Sequence, residues 1–381
     1  MRRHNAALLV LLFAGCHSQR GTVFGHLAGG EDATRVETHA LDLAAGAHLE
    51  LSTPHGRIEA RAVAGATASL TATLHASGRT ADEAAMVLQG YSLAFDQENG
   101  GLRVSLQGEP TRVADQDARL FLGAAVDYVV TVPDDVQLTV HTQSGDIVVE
   151  GGFGTRRLQT RYGDITVHGG QGDLTALSGS GDVTVRDMVG GFVRVESGYG
   201  VLTLENIVAT DVQAESKSGD LTLATGRAER IRLDTRYGTV SVHDAEGSLR
   251  ASSRSGNVML ANVRGAVVAE SQYGRLHVEG VLTGLRARSS SGDVQVRALD
   301  GSTNTTDWDL SSGYGQVTLA VPPEFSCRLE ASTRYGDVEC AFPVTVDAGK
   351  RKNGALRGTV GAGGRVVAMS SGSGNVLLKQ L

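Results

Sequence analysis

A four-residue phrase, Ser or Thr, any residue, Ser or Tyr, then Gly, recurs twelve times between Thr142 and Gly374. Its glycines are Gly145, Gly163, Gly181, Gly200, Gly219, Gly238, Gly256, Gly274, Gly292, Gly315, Gly336 and Gly374. Up to Gly292 they stand 18 or 19 residues apart, and a fixed period of this length implies a repeat architecture. The residue before the glycine alternates: Ser144, Tyr162, Ser180, Tyr199, Ser218, Tyr237, Ser255, Tyr273, Ser291, Tyr314. Six of the eight tyrosines of the chain occupy this one column.

Around each glycine the apolar residues alternate. Val212, Ala214 and Ser216 interleave with Gln213 and Glu215, and the pattern resumes as Leu221 and Leu223; Ile231, Leu233 and Thr235 repeat it, followed by Val240 and Val242. Period two predicts strands with one buried and one wet face. Each unit then holds two strands of about five residues and two turns. A Gly-Asp pair between alternating runs also fits the hairpins of an antiparallel meander. The constant spacing favours the other solution, because stacked coils lose register when one of them changes length. The expected fold is all-β: a single-stranded β-solenoid, or β-helix, of about twelve coils and about 55 Å long at strand spacing. In it the Ser/Tyr column is in phase with the inward face, so each ring should lie inside the coil stack over the small serines of its neighbours. The Ser or Thr three before Gly would be the partner of the phenol hydroxyl.

The ends differ in character. Residues 1–16 read as a lipoprotein signal: Arg2 and Arg3, an apolar run from Ala6 to Phe13, then Ala14, Gly15 and Cys16 as the lipidated residue. The run is too short to span a bilayer. Residues 17–40 read as a flexible tether. Residues 41–135 carry strand patterns and one helix opened by a capping box at Thr80 and Glu83. With Thr53-Pro-His-Gly56, an isolated copy of the phrase, they are expected to cap the stack. Residues 136–342 form the regular solenoid. In residues 343–381 a degenerate coil or loop, with Lys350, Arg351 and Lys352, precedes a final coil.

Chemistry is sparse. Aspartates follow six of the glycines, but Val201, Thr239, Asn257, Arg275 and Gln316 stand in the same column. A stacked calcium site would lose a ligand at each, and Asp serves tight turns on its own account. No metal, cofactor or catalytic set is expected. Lys217, Arg236 and Arg254 fall on consecutive coils and form a short basic ladder suited to a polyanion, or else a solvated face paired with nearby acids. Cys327 and Cys340 are either a disulfide or two free thiols. The net charge of −7 argues against nucleic acid as a partner.

Val132-Pro133-Asp134-Asp135 leading into Leu138, Val140, Thr142, Ser144, Gly145 and Asp146 is echoed by Val321-Pro322-Pro323-Glu324 leading to Thr333, Tyr335, Gly336 and Asp337. With the helix near Thr80, these features resemble the bacterial putative-adhesin family of repeat domains of unknown function, over about residues 41–381. The resemblance implies a non-enzymatic envelope protein used for adhesion, binding or scaffolding, and an envelope-stress role is compatible with it. Expected partners are a membrane through the lipid anchor, the outer one in a Gram-negative cell, and a cell-wall or surface glycan or another envelope protein. Self-association is the alternative use of the coil edges. A β-helix polysaccharide-degrading enzyme would need converging carboxylates, and here they are dispersed.

Overall fold

The computed structural model describes residues 11–13, 30–44, 46–98, 100–109, 111–114, 119–346 and 354–381. Cys16, most of the proposed tether and Lys350 to Lys352 lie outside them. The fold is a β-solenoid of about ten turns with N-terminal strands and one helix. Its chain divides into two compact units, Met1–Thr184 and Val185–Leu381.

In the first unit two parallel walls face each other across an apolar core. One wall runs from His48–His55 through Gln137–Ser144 and Arg156–Thr160 to Leu174–Ser178. The other runs from Ile58–Ala62 through Ile147–Gly151 to Ile165–His168. Leu49, Leu51, Leu138, Val140 and Leu158 project inward from the first, Ile58, Ala60, Ile147, Val149 and Ile165 from the second. Thr53 pairs with Thr142, so the isolated phrase at Thr53 to Gly56 is the first coil of the stack.

Beyond these coils one further strand joins each wall in parallel, and the pairing then turns antiparallel. Strands Glu31–Ala40, Ser69–Gly78 and Ala124–Val132 extend one wall, and the hairpin Tyr91–Glu98 with Gly101–Gly108 extends the other. These strands cover what would otherwise be an open edge of parallel coils. The helix Ala81–Gln89 lies on Glu31–Ala40 and Ser69–Gly78 through Ala84, Val87 and Leu88. Thr80 caps it, its hydroxyl accepting from Glu83 N–H at 3.3 Å. Glu83 reaches back to Arg79 N–H at 2.8 Å, one residue before the usual capping-box donor. At the other end Arg35 donates to the carbonyls of Leu88 and Tyr91, where a cation complements the helix dipole.

In the second unit strands Leu202–Ser216, Leu221–Thr235, Val240–Ser253, Val258–Ser271 and Leu276–Ser289 stack in parallel, with register shifts between Arg227 and Arg230, between Leu260 and Val263 and between Gly265 and Ala266. Each runs 14 or 15 residues rather than five. The expected second turn is a bend inside the strand, made in four of them by a residue with left-handed backbone: Asn206, Thr225, Asp244 and Asn262, at φ 52 to 59°. Asn and Asp tolerate this region, and the ladder skips the single bent residue and resumes immediately beyond it.

The C-terminal strands do not follow sequence order. Val366–Ser373 inserts between Trp308–Ser312 and Cys327–Tyr335, parallel to both. Val376–Gln380 likewise lies between Val317–Val321 and Val338–Cys340. The phrases at Gly336 and Gly374 therefore do not add successive turns, and the final coil of the sequence sits inside the stack. Ala355–Val360 then pairs antiparallel with both Cys327–Tyr335 and Val344–Val346, covering that edge where a degenerate coil or loop was expected.

Candidate functional site

In the repeated phrase the Ser or Thr and the Gly each answer a demand of the backbone. Ser271 is buried; its Oγ accepts from Gly274 N–H at 2.8 Å and donates to Gly256 C=O of the preceding coil at 3.1 Å. The same bridge recurs at Ser178, Ser216, Thr235, Ser253, Ser289 and Ser312. These hydroxyls bond glycine backbone, not tyrosine phenols as the sequence reading expected. The glycine is required by close approach: a Cβ at Gly163, Gly181, Gly256, Gly274 or Gly292 would stand 1.9 Å from the carbonyl oxygen of the glycine one coil earlier.

The residue after the glycine continues this ladder. Asp146, Asp164 and Asp220 each accept through Oδ1 from the N–H at the equivalent position of the next coil, at 2.7 to 3.0 Å. Asn257 and Asp293 do the same. The aspartate column therefore serves as a stack of turn acceptors, and Asn257 replaces the carboxylate without loss of the bond. No group of three or more His, Cys, Asp or Glu side chains converges on a metal position among the described residues.

The tyrosines face the opposite way from expectation. Tyr162, Tyr199, Tyr237, Tyr273, Tyr314 and Tyr335 are 61 to 75% exposed. The strands end at the Ser or Thr of the phrase, for example at Thr235, Ser253 and Ser271. Two-residue alternation belongs to extended backbone and does not carry through the bend, so the residue two further on emerges at the surface. Space also restores the alternation that the sequence loses near its end. In sequence Tyr314 and Tyr335 occupy successive phrases, but the inserted strand puts Ser373 between them. In the second unit the column reads Tyr199, Ser218, Tyr237, Ser255, Tyr273, Ser291, Tyr314, Ser373, Tyr335.

Beside the column stand Lys217, Arg236 and Arg254, exposed on three consecutive coils. The sequence left open whether acids neutralise them. Elsewhere on the wet face arginines are paired across coils: Arg186 with Glu205, Arg227 with Glu246, Arg230 with Asp211, Arg250 with Glu270 and Arg297 with Glu279, at 2.6 to 2.9 Å. Lys217, Arg236 and Arg254 take part in no ion pair among the described residues, and Arg254 Nε donates to the neutral Gln272. Two open hollows lie on this surface, one of them beside Tyr273. One of about 400 Å³ is bounded by Tyr273, Asn257, Arg275, Ser291 and Asp293. The other, of about 530 Å³, is bounded by Arg254, Glu270, Gln272, Arg288 and Ser290. Sequence reasoning named the cations and missed the rings beside them; the signal available was the six-fold recurrence of Tyr in a bend.

Cys327 and Cys340 are free thiols, the first buried and the second half-buried. Burial, reinforced by the neighbouring Cys340, pushes the Cys327 thiol up to about 12. At pH 8 it stays protonated and unreactive. Cys327 is expected to resist iodoacetamide in the native protein and to react once urea unfolds it, as peptide mass mapping would register. Rapid native alkylation would contradict its burial. Because the folded thiol has the raised value, its contribution to stability is complete at neutral pH and falls as pH rises from the ordinary thiol range toward 12.

The Toastrack DUF4097 family model matches residues 48–379. Among solved structures, a putative cell adhesion protein from Clostridium sporogenes ATCC 15579 aligns at 8% identity and TM-score 0.19, covering 91% of this chain and 100% of that one. A putative adhesin from Bacteroides fragilis NCTC 9343 aligns at 14% identity and TM-score 0.22, covering 90% and 96%. A putative adhesin from Parabacteroides merdae ATCC 43184 aligns at 8% identity and TM-score 0.26, covering 91% and 96%. No curated protein matches the sequence. The matched span begins with the strand that carries Thr53 and runs on to the strand inserted at the C-terminus; the chain belongs to the Toastrack DUF4097 family.

Proposed function

We propose that this protein is a non-enzymatic cell-envelope lipoprotein, anchored through Cys16, whose solenoid presents a repetitive surface for adhesion or binding. The observation that carries the binding part is the exposed tyrosine column with its unpaired basic neighbours on a backbone held rigid by bridging hydroxyls. Side chains fixed on stacked strands keep their spacing, which suits an extended, repetitive partner such as a surface glycan or an elongated envelope protein.

Two features support the non-enzymatic part. The outward carboxylates Glu205, Asp211, Glu246, Glu270 and Glu279 are each taken by an arginine, and the aspartates of the turn column accept backbone N–H groups. A glycoside-cleaving site would need two carboxyl groups facing one bond. End-to-end self-assembly has less support, because the antiparallel hairpin Tyr91–Glu98 with Gly101–Gly108 covers one wall of the first unit and Ala355–Val360 covers the Cys327–Tyr335 edge of the second.

The anchor rests on the sequence of residues 1–16, and among the described residues no helix is long and apolar enough to cross a membrane. Cys16→Ala is expected to abolish labelling with an alkyne-bearing fatty acid and to release the protein from the membrane fraction. Unchanged labelling and fractionation would remove the anchor from this reading.

A further inference from the structure

We infer that the tyrosine column of the second unit is a binding track for an acidic, extended, β-1,4-linked polysaccharide, with the rings stacking on alternate sugars and Lys217, Arg236 and Arg254 meeting its carboxylates. The inference rests on the binding role proposed above and names the class of partner.

The first argument is spacing. Tyr237 and Tyr273 lie two coils apart, each two residues past the mutually paired Thr235, Ser253 and Ser271, or about 9.6 Å at the spacing between neighbouring strands. That is close to the length of one disaccharide in an extended β-1,4-linked chain. In such a chain each sugar is turned by half a revolution from the last, so only alternate sugars show the same face to one side. A ring on every coil would ask for the same face from every sugar. A ring on every second coil, with serine between, matches the alternation, and the serine leaves room for the sugar that presents its other side. In an α-1,4-linked galacturonate chain both linkage bonds are axial, so the chain is buckled and its sugars do not lay a flat face along the rings.

The alternation is a property of the surface and not a by-product of a duplicated pair of coils. Duplication alone would give Ser and Tyr in turn along the sequence, and near the C-terminus the sequence breaks that order. The inserted strand brings Ser373 between Tyr314 and Tyr335 and keeps the spacing. Five rings, Tyr199, Tyr237, Tyr273, Tyr314 and Tyr335, thus follow one line for about 38 Å, eight strand spacings.

The second argument is the chemistry beside the rings. The hollow at Tyr273 is bounded by Asn257, Arg275 and Asp293, planar hydrogen-bonding groups next to an apolar ring face. This pairing suits a sugar, which has an apolar C–H face and a polar rim. The third is charge: Lys217, Arg236 and Arg254 take part in no ion pair among the described residues and stand on consecutive coils beside the rings, which leaves three cations in a row for a polyanion. A neutral glycan would leave them unused.

The test is titration calorimetry of the full chain with β-1,4-linked oligomannuronates, peptide-free murein strands, neutral chitohexaose and α-1,4-linked oligogalacturonates. Mannuronates carry a carboxylate on every sugar and murein on every second, so the tighter of the two identifies the source of the ligand. Affinity is expected to rise at least a hundredfold from di- to decasaccharide, as weak sites along one polymer act together, and the α-linked and neutral chains are expected to bind at least tenfold more weakly. Tyr237→Ser with Tyr273→Ser installs the residue that the neighbouring coils already carry. It is expected to keep the urea midpoint and lose at least tenfold in affinity. Ser255→Tyr, which fills the gap between the two rings, is expected to weaken binding as well. Lys217→Ser, Arg236→Ser and Arg254→Ser together should weaken binding and flatten its salt dependence. Equal binding of the α-linked chain, or full affinity in the double Tyr→Ser variant, overturns the inference. So does loss of self-association in that variant, seen by sedimentation, without loss of glycan binding, which would assign the column to a second copy of the chain. If no glycan binds while the protein still adheres to isolated cell envelopes, the inference falls and the binding role stands; if neither occurs, both fall.

Discussion

Gly274→Ala is expected to destabilise the second unit by about 3 kcal/mol or more, the upper range for overpacking a close contact. The added Cβ would stand 1.9 Å from Gly256 O and 2.5 Å from Gly256 C. Backbone on both sides cannot swing away as a side chain could, so the coils must separate locally. The displaced carbonyl is also the acceptor of the Ser271 hydroxyl, so the same substitution loosens a hydrogen bond. Urea unfolding followed by circular dichroism should show a lower midpoint. A second transition is also expected, because a stack held by nearest-neighbour contacts loses cooperativity where one interface is weakened. Gly65→Ala is the control. Nothing lies within 4 Å of its Cβ position, although φ is +71°, so its cost is the left-handed backbone penalty of about 1 kcal/mol. A loss at Gly274 no larger than that at Gly65 would show that inter-coil approach is not what the repeated glycine answers.

The glycine column was legible because a close approach repeated at fixed register leaves only one residue type and one spacing, and both are visible in sequence. The inward strands were legible for a similar reason: Val240, Val242, Leu249 and Ala251 alternate with polar residues and are buried in that order. The direction of Tyr237 and its relatives was not. Counting by twos from Thr235 puts the ring inside, but the strand ends at Thr235 and the count has no meaning beyond it. The bend at Thr225 was also hidden, since a β-branched residue at φ 59° is not what local preference would place there. Nor could spacing reveal the insertion of Val366–Ser373, because pairing across a gap of 38 residues is decided by which edge remains open after the intervening hairpin folds. For the site the division is sharper. The basic ladder was readable as three cations at equal spacing, whereas its lack of acidic partners and its place beside exposed rings are properties of the folded surface.

Ser271→Ala is expected to cost about 2 to 4 kcal/mol, although it removes a single oxygen. The hydroxyl serves two backbone groups at once, Gly274 N–H at 2.8 Å and Gly256 C=O at 3.1 Å, and Gly274 is buried. Removing one partner from a buried polar group costs about 1 to 3 kcal/mol, and here two groups lose theirs. Space lost is small, so the effect should follow hydrogen bonding and not volume. Ser271→Thr separates the two. Thr235 performs the same bridge two coils earlier, bonding Gly238 N–H and Gly219 C=O, so threonine is expected to hold stability within about 0.5 kcal/mol, the range of substitutions that disturb no such feature. Urea midpoints of the two variants, with amide exchange at Gly274, would read this directly: rapid exchange in the alanine variant and protection in the threonine one. If alanine were tolerated as well as threonine, the hydroxyl bridge would not be what ties each turn to the coil before it. The rigid spacing on which the tyrosine track depends would then have to come from the buried apolar columns alone, and those columns constrain the strands without fixing the bends where the rings emerge.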